Sequence, residues 1–397
     1  MVRRIAILFT MIFCATQLLI FGANAALDDG YPTGVPAPGR SCPDSEVGQK
    51  VTSQITEKVF VCTLINNEKR WWVENEPLPL VPTGLTPVPI TIPGAVPLQL
   101  PEIKHDYFLP ATALEKMKVV EEVVYATDSV AQKLDIYLPK NVKNPPLVIW
   151  LHGGAFMFLD KSVVRYDESA KILELLIKNK IAVAVVDYRL ATEAKFPAAG
   201  QDVKSAIRYL RVNALKYGYD AKKFAVWGES SGGYLALMAG ITGKQKSIFD
   251  SPSDVNKKVS AEVMMVVELS GSADFLSMEK SVVKYPCKAN IGKSIPSMDN
   301  PWFGSKAVPG VSASMKSANL YPLIQKNSKL PAFYLYHGSE DCFVSKYEAT
   351  QFNNSIKKVG GKVVLNIVPG GTHGGASVWS EASKVVGVLK SNFTKAK

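Results

Sequence analysis

The sequence predicts an α/β protein: a mainly parallel β-sheet flanked by helices, preceded by a small β-rich module and a proline-rich linker. Three observations carry this. From about residue 104 onward, short β-branched apolar runs alternate with longer segments of helical period. Runs such as LVIWL, AVAVV and FAVWG lack the in-out alternation of a half-exposed strand, as strands covered on both faces do. Upstream, residues 77 to 101 hold eight prolines in 25 residues. Proline removes amide donors and fixes φ, so that stretch reads as an extended spacer.

In chain order, residues 1–25 have the pattern of a signal peptide. Arg3 and Arg4 form a basic start, Ile5 to Gly22 is an apolar run of 18 residues, and Ala23-Asn24-Ala25 fits a small-residue cleavage site. An uncleaved anchor is the alternative for a run of that length. Export implies a secreted, cell-surface or periplasmic location, and an oxidising one. Cys14 lies inside the signal segment, which leaves Cys42, Cys62, Cys287 and Cys342. Three pairings are open to four cysteines. Proximity within one segment favours Cys42–Cys62 and Cys287–Cys342, and the spacing is not that of a metal site.

Residues 26–76 form the small module. KVFVCTLI and KRWWVEN read as β runs separated at Asn66-Asn67, hence a hairpin. So short a piece buries little core, and a disulfide would help to hold it. It resembles a small Cys-containing β module of exported bacterial proteins. Trp71 and Trp72 either pack its core or stack on a sugar, so a cell-wall or glycan contact is one expectation for this module. Residues 77–103 are the linker, and residues 104–397 the main domain. Their helical segments are SAKILELLIKNK, DVKSAIRYLRVNALKYG, YLALMAG, YEATQFNNSIKKVG and a last one near SEASKVVGVLKSNF. The formal net charge is +11. The lysines are scattered and form no long basic run, so a solvated basic surface is expected and no nucleic-acid partner.

The chemistry is concentrated in Gly228-Glu229-Ser230-Ser231-Gly232, a G-x-S-x-G pattern between a strand-like and a helix-like run. A turn this tight needs glycines two before and two after its centre, which singles out Ser230. At a helix N-terminus, free amides favour developing negative charge. A serine nucleophile needs a base, and the chain has four histidines: His105, His152, His337 and His373. With the order serine, acid, base, only His373 in GGTHGG leaves room for an acid between. Asp341, in the loop after AFYLYHG, is the preferred acid, and Asp274 in GSADF is the rival. LVIWLHGGAF supplies a strand ending in glycines, where amides of Gly154 and Ala155, with that of Ser231, would bind an oxyanion. His152 is expected to be structural. Phe156, Met157 and Phe158 either line an acyl pocket or pack, and residues 276 to 315 are candidate lid.

These residues resemble the α/β-hydrolase fold carboxylesterases, within them the bacterial feruloyl-esterase-like and hormone-sensitive-lipase-like groups. The motifs are LDIYLP (134–139), HGGAF (152–156), DYRLATEAKFPAAGQD (187–202), VWGESSGG (226–233), HGSEDCFV (337–344) and PGGTHGG (369–375). Two positions depart from the pattern: HGGA replaces the lipase-like HGGG, and Thr192 stands where many relatives have proline. The resemblance implies that Asp187, Tyr188 and Arg189 support the serine turn. It also implies that the cysteine after the acid pairs with one in the preceding segment, as Cys287–Cys342 would. A serine-dependent ester hydrolase follows, acting through an acyl-enzyme on acetyl, feruloyl or short acyl esters, small or polysaccharide-linked, without cofactor or metal. The rivals are a prolyl-oligopeptidase-type peptidase, which normally carries a β-propeller that this N-terminal region is too short to form, and a non-catalytic binding protein on the same scaffold.

Overall fold

The computed structural model describes residues 47–52, 59–65, 68–73, 107–157, 159–284, 300–303, 313–324 and 329–395. The signal segment, the proline-rich linker, Cys42, Cys287, His105 and Phe158 lie outside them. Two compact units, Met1–Asp106 and Tyr107–Lys397, make up the chain.

In the first unit, β1 (Lys50–Thr52), β2 (Val59–Ile65) and β3 (Glu68–Val73) form an antiparallel sheet in that order. β2 and β3 pair with Ile65 opposite Glu68 and Cys62 opposite Trp71, the register that the two β runs predict. Cys62 is fully buried and disulfide-bonded.

The second unit is built on an eight-stranded sheet: β4 (Met117–Val124), β5 (Lys133–Pro139), β6 (Leu147–Leu151), β7 (Ala182–Val186), β8 (Phe224–Glu229), β9 (Met265–Leu269), β10 (Ala332–Gly338) and β11 (Val363–Val368). Its order is β11-β10-β9-β8-β6-β7-β5-β4. All pairs from β7 to β11 are parallel, while β4–β5 and β5–β7 are antiparallel. Only residues 140–146 link β5 to β6, too short a stretch for a crossover helix, so β5 runs against the others. Every residue of β6, β7 and β9 is buried.

Helices cover both faces: α1 (Asp167–Lys178), α2 (Ala198–Val212), α3 (Ser231–Thr242), α4 (Phe275–Lys284), α5 (Lys346–Lys358), α6 (Ala376–Ser383) and α7 (Val385–Lys395). The alternation within β6 sorts the two cores. Leu147, Ile149 and Leu151 pack with residues of α2, α3 and α5, and Val148 and Trp150 with those of α1, α6 and α7. Each fully buried aliphatic side chain is worth about 1.5–3 kcal/mol of transfer free energy. On the second face Trp150 stacks between Trp227 and Trp379, with ring centroids 5.5 and 5.7 Å away. The last segment is two helices, α6 and α7, meeting at Lys384, where a single helix was expected. α3 has no polar face: all twelve of its residues are buried. It is the helix that follows the predicted serine turn, and its burial fixes that turn against the sheet.

Candidate active site

Ser230 stands between β8 and α3 with φ 52° and ψ −117°, a left-handed backbone that a residue with a Cβ rarely adopts. Close packing enforces it. A Cβ on Gly228 would lie 2.1 Å from the carbonyl oxygen of Gly232, and one on Gly232 would lie 2.2 Å from that of Leu151. The two glycines that frame the serine are therefore required by backbone meeting backbone. The Ser230 amide donates to the Leu269 carbonyl at the end of β9, 2.8 Å away.

His373 comes from the loop after β11 and Asp341 from the loop after β10. The distance from His373 Nε2 to Ser230 Oγ is 2.9 Å, and from His373 Nδ1 to Asp341 Oδ2 it is 2.8 Å. Asp341 is buried, and its other oxygen, Oδ1, accepts the amides of Phe343 and Val344, each at 2.9 Å. Burial alone would raise the Asp341 carboxyl. The charge of His373 and hydrogen bonds from His337 and His373 outweigh it, and hold the group well below the usual carboxylate range. Burial likewise pulls the His373 imidazole down, but Asp341 and then Glu229 raise it above its ordinary value. His373 keeps 20% of its side chain exposed, so the ring edge is reachable from outside.

The HGGA turn lies against the serine: a Cβ on Gly153 would be 3.5 Å from the Cβ of Ser230. Gly154, Ala155 and Phe156 follow with φ of 102°, 51° and 60°. Successive left-handed residues turn the chain away from the direction of β6. Among the described residues, no carbonyl accepts from the amides of Gly154, Ala155 or Ser231. His152 is part of the scaffold. Its Nδ1 donates to the Gly153 carbonyl at 2.8 Å, its ring stacks on Tyr188, and burial pushes it down to about 4, so it stays neutral. Tyr188 donates to the His152 carbonyl at 2.9 Å, and Arg189 grips Asp202. Tyr188 thus braces the HGGA turn and also meets the side chain of Ser231 in the serine turn.

Other candidates fall elsewhere. Asp274 caps the start of α4, its Oδ1 accepting the Leu276 amide at 2.9 Å, which makes it a local turn residue. Phe156 is fully buried and stacks on Trp302 at 3.7 Å, so it belongs to the core and not to an open pocket wall. Of the candidate lid, α4 is described, Trp302 and Phe303 are buried, and residues 285–299 and 304–312 lie outside the described residues. Cys342 is disulfide-bonded. Among the described residues, no group of three or more His, Cys, Asp or Glu side chains is placed to hold a metal ion.

Three groups at the site escaped the sequence reading. Glu229, the first variable residue of G-x-S-x-G, is raised to about 7 by burial, which the nearby His373 only partly offsets. A Cβ on Gly374 would sit 2.0 Å from Glu229 Oε1, so the glycine after His373 makes room for this carboxyl. Glu268 on β9, buried, is also raised to about 7. His337 Nε2 lies 3.3 Å from Asp341 Oδ2, so the acid has a second imidazole beside it. The four-residue spacing of His337 and Asp341 in HGSED was the available signal. Glu229 meets His373 and Trp379, both distant in sequence, whereas Glu268 accepts the Gly271 amide three residues on and faces His337 from the neighbouring strand.

A mainly parallel sheet, a serine on a strained turn between strand and helix, and an acid and a histidine on later strand-end loops define an α/β-hydrolase fold. The model of the BD-FAE family matches residues 134–356, and the chain belongs to that family. The chain is similar to the esterase LipC of Mycobacterium tuberculosis, 26% identical over 255 residues that cover 64% of this chain and 59% of the relative. A probable isoprenylcysteine alpha-carbonyl methylesterase of Arabidopsis thaliana is 25% identical, with 64% and 51% covered. The chain thus spans between half and three fifths of the length of these curated relatives. Among solved structures, a truncated form of a carbohydrate esterase from gut microbiota superposes with a TM-score of 0.56 at 28% identity, covering 69% of this chain and 96% of that one. An esterase from Pyrobaculum calidifontis, 23% identical with a TM-score of 0.54 over 69% of this chain and 86% of its own, shares the fold.

Proposed function

We propose that this protein is an exported, serine-dependent carboxylic ester hydrolase working through an acyl-enzyme. The observation that carries the reading is the unbroken line of hydrogen bonds from Ser230 Oγ through His373 to Asp341, at 2.9 and 2.8 Å. In this reading the Ser230 hydroxyl donates to His373 Nε2, and the Nδ1–H of the same ring donates to Asp341. Ser230 Oγ attacks the ester carbonyl as Nε2 takes its proton. The ring becomes an imidazolium facing the Asp341 carboxylate, and the carbonyl oxygen becomes an oxyanion. The amides of Gly154, Ala155 and Ser231 receive that oxygen, each donor being worth about 2.7–4 kcal/mol in such sites. Nε2 then protonates the departing alcohol. Water, deprotonated by the same nitrogen, releases the acid and returns the proton to Ser230.

The substrate class is an acetyl, feruloyl or short acyl ester, small or carried on a polysaccharide. Support for the polymer comes from the carbohydrate esterase named above and from a second solved relative, a bifunctional GH43-CE protein of Bacteroides eggerthii, 27% identical with a TM-score of 0.58. Export rests on the signal pattern of residues 1–25. The pairings Cys42–Cys62 and Cys287–Cys342 accord with export and with the disulfide-bonded state of Cys62 and Cys342. The test is hydrolysis of p-nitrophenyl esters from acetate to laurate by the full chain and by Ser230→Ala. Turnover that disappears with the hydroxyl, and that falls with acyl length, is the expected result. A well-folded protein inactive on every ester would overturn it.

A further inference from the structure

The carboxylate of Asp341 is shared between two imidazoles. Its Oδ1 is occupied by two amides of its own loop, at 2.9 Å each. Its Oδ2 faces His373 Nδ1 at 2.8 Å and His337 Nε2 at 3.3 Å. His337 is the penultimate residue of β10 and is wholly inaccessible to solvent. Its Nε2–H donates to the Val344 carbonyl at 2.7 Å, while Nδ1 has no partner among the described residues. One N–H therefore lies between the Val344 carbonyl, at the far end of the acid's loop, and the Oδ2 that the acid presents to His373. A histidine that only filled space would not aim its single donor there, since buried polar atoms cost free energy unless paired.

We propose that His337 is a positioning residue for the acid. It clamps the Asp341–Val344 loop and holds Oδ2 in line with His373, while drawing part of the carboxylate's charge away from that ring. This rests on the ester-hydrolase reading for its effect on rate, but not for its effect on His373. Removing the donor leaves Oδ2 to His373 alone. The concentrated negative charge then stabilises the imidazolium more, so His373 binds its proton more tightly. The charged or titratable groups facing this pair are Asp341, Glu229 and Glu268, and the two imidazoles sense each other. All of them stay in place when residue 337 alone is changed.

The experiment compares His337→Gln, whose side-chain amide reaches the Nε2 position, with His337→Asn and His337→Phe, which place no donor there. Two readouts are taken on the full chain. The first is pH titration of the His373 ring protons by NMR, with three other histidines to assign. The second is the pH profile of p-nitrophenyl acetate hydrolysis, with Ser230→Ala as control. The donor-less variants are expected to raise the His373 midpoint and the acid limb of kcat/KM by about half a pH unit. They should lower kcat about tenfold, with KM within twofold, as expected when a charge-assisted hydrogen bond is lost. Gln should restore both. If either donor-less variant folds and leaves the His373 midpoint unmoved, or if Gln behaves like them, the proposal fails. Absence of serine-dependent turnover in the wild type would defeat the ester-hydrolase reading only, because the NMR midpoint judges His337 without turnover.

Discussion

The substitution Gly232→Ala isolates the packing that builds the site. The added methyl carbon would lie 2.2 Å from the Leu151 carbonyl oxygen, 2.4 Å from that of His152 and 2.8 Å from the Leu151 carbonyl carbon. All three are main-chain atoms of β6 and the first residue of HGGA, so no side chain can swing aside. Close carbon–oxygen contacts between backbones settle at about 3.3 Å. The start of α3 and the end of β6 must therefore part by roughly 1 Å. α3 is buried on every side, so the strain spreads into the core, where overpacking costs about 1–3 kcal/mol. For a domain of this size, 2 kcal/mol corresponds to a fall in Tm of roughly 5 °C. The same displacement moves Ser230 relative to both His373 and the HGGA amides. A 1 Å misplacement of reacting groups costs about a hundredfold in rate. The assay is kcat/KM on p-nitrophenyl acetate together with thermal unfolding followed by circular dichroism. Gly387→Ala in α7 is the control, because a Cβ there meets nothing within 4 Å; it should be neutral or stabilise by up to about 1 kcal/mol. If Gly232→Ala stays within twofold of wild-type activity and within a degree of its Tm, the packing argument is wrong.

Two further outcomes follow from the charges. Asp341→Asn should keep the fold near neutral pH yet lower kcat by roughly 10³–10⁴, since the neutral amide no longer selects the Nδ1–H form of His373 or stabilises its cation. Because the folded carboxyl is held well below its ordinary value of 3.8, its stabilisation is present above that pH and is lost as pH falls towards the folded value. Wild-type stability measured by denaturant titration should drop between about pH 5 and 2, and less steeply in the variant. Glu229→Gln works in the opposite direction. The folded carboxyl is raised from 4.5 to about 7, so its contribution is present below 4.5 and is lost as pH rises through 7. The variant should therefore gain stability relative to wild type at pH 8 but not at pH 4. It should also lower the acid limb of kcat/KM, because a negative neighbour of His373 has been removed.

Much of the site was legible because its chemistry is local in sequence. Gly228-Glu229-Ser230-Ser231-Gly232 names its own centre, since only one register places glycines on both sides of a serine. The scarcity of histidine left His373 as the base, and the order of strand-end loops favoured Asp341. β6, β7 and β8 announced themselves as strands buried on both faces, and the hairpin β2–β3 was visible in its two β runs. What remained hidden depends on neighbours far apart in the chain. Glu229 was only the variable letter of a motif until the loop carrying Gly374 was seen folded over it. His337 is the local exception: it had been set aside as a base, and its place 3.3 Å from Asp341, four residues on, appears only when the loop after β10 turns back. Phe156, a pocket candidate from its place after HGGA, is taken into the core by Trp302, well over a hundred residues later.

By itself, the sequence determined the strands, most of the helices and the residues able to do chemistry, because propensity, glycine spacing and polarity act over a few positions. The tertiary structure decided which carboxyls and imidazoles face one another, which glycines are indispensable, and how far burial moves each group from its solution behaviour. Those properties come from distance and desolvation, and both are set only when β8, β9, β10 and the loop after β11 come together at the carboxyl ends of the parallel strands.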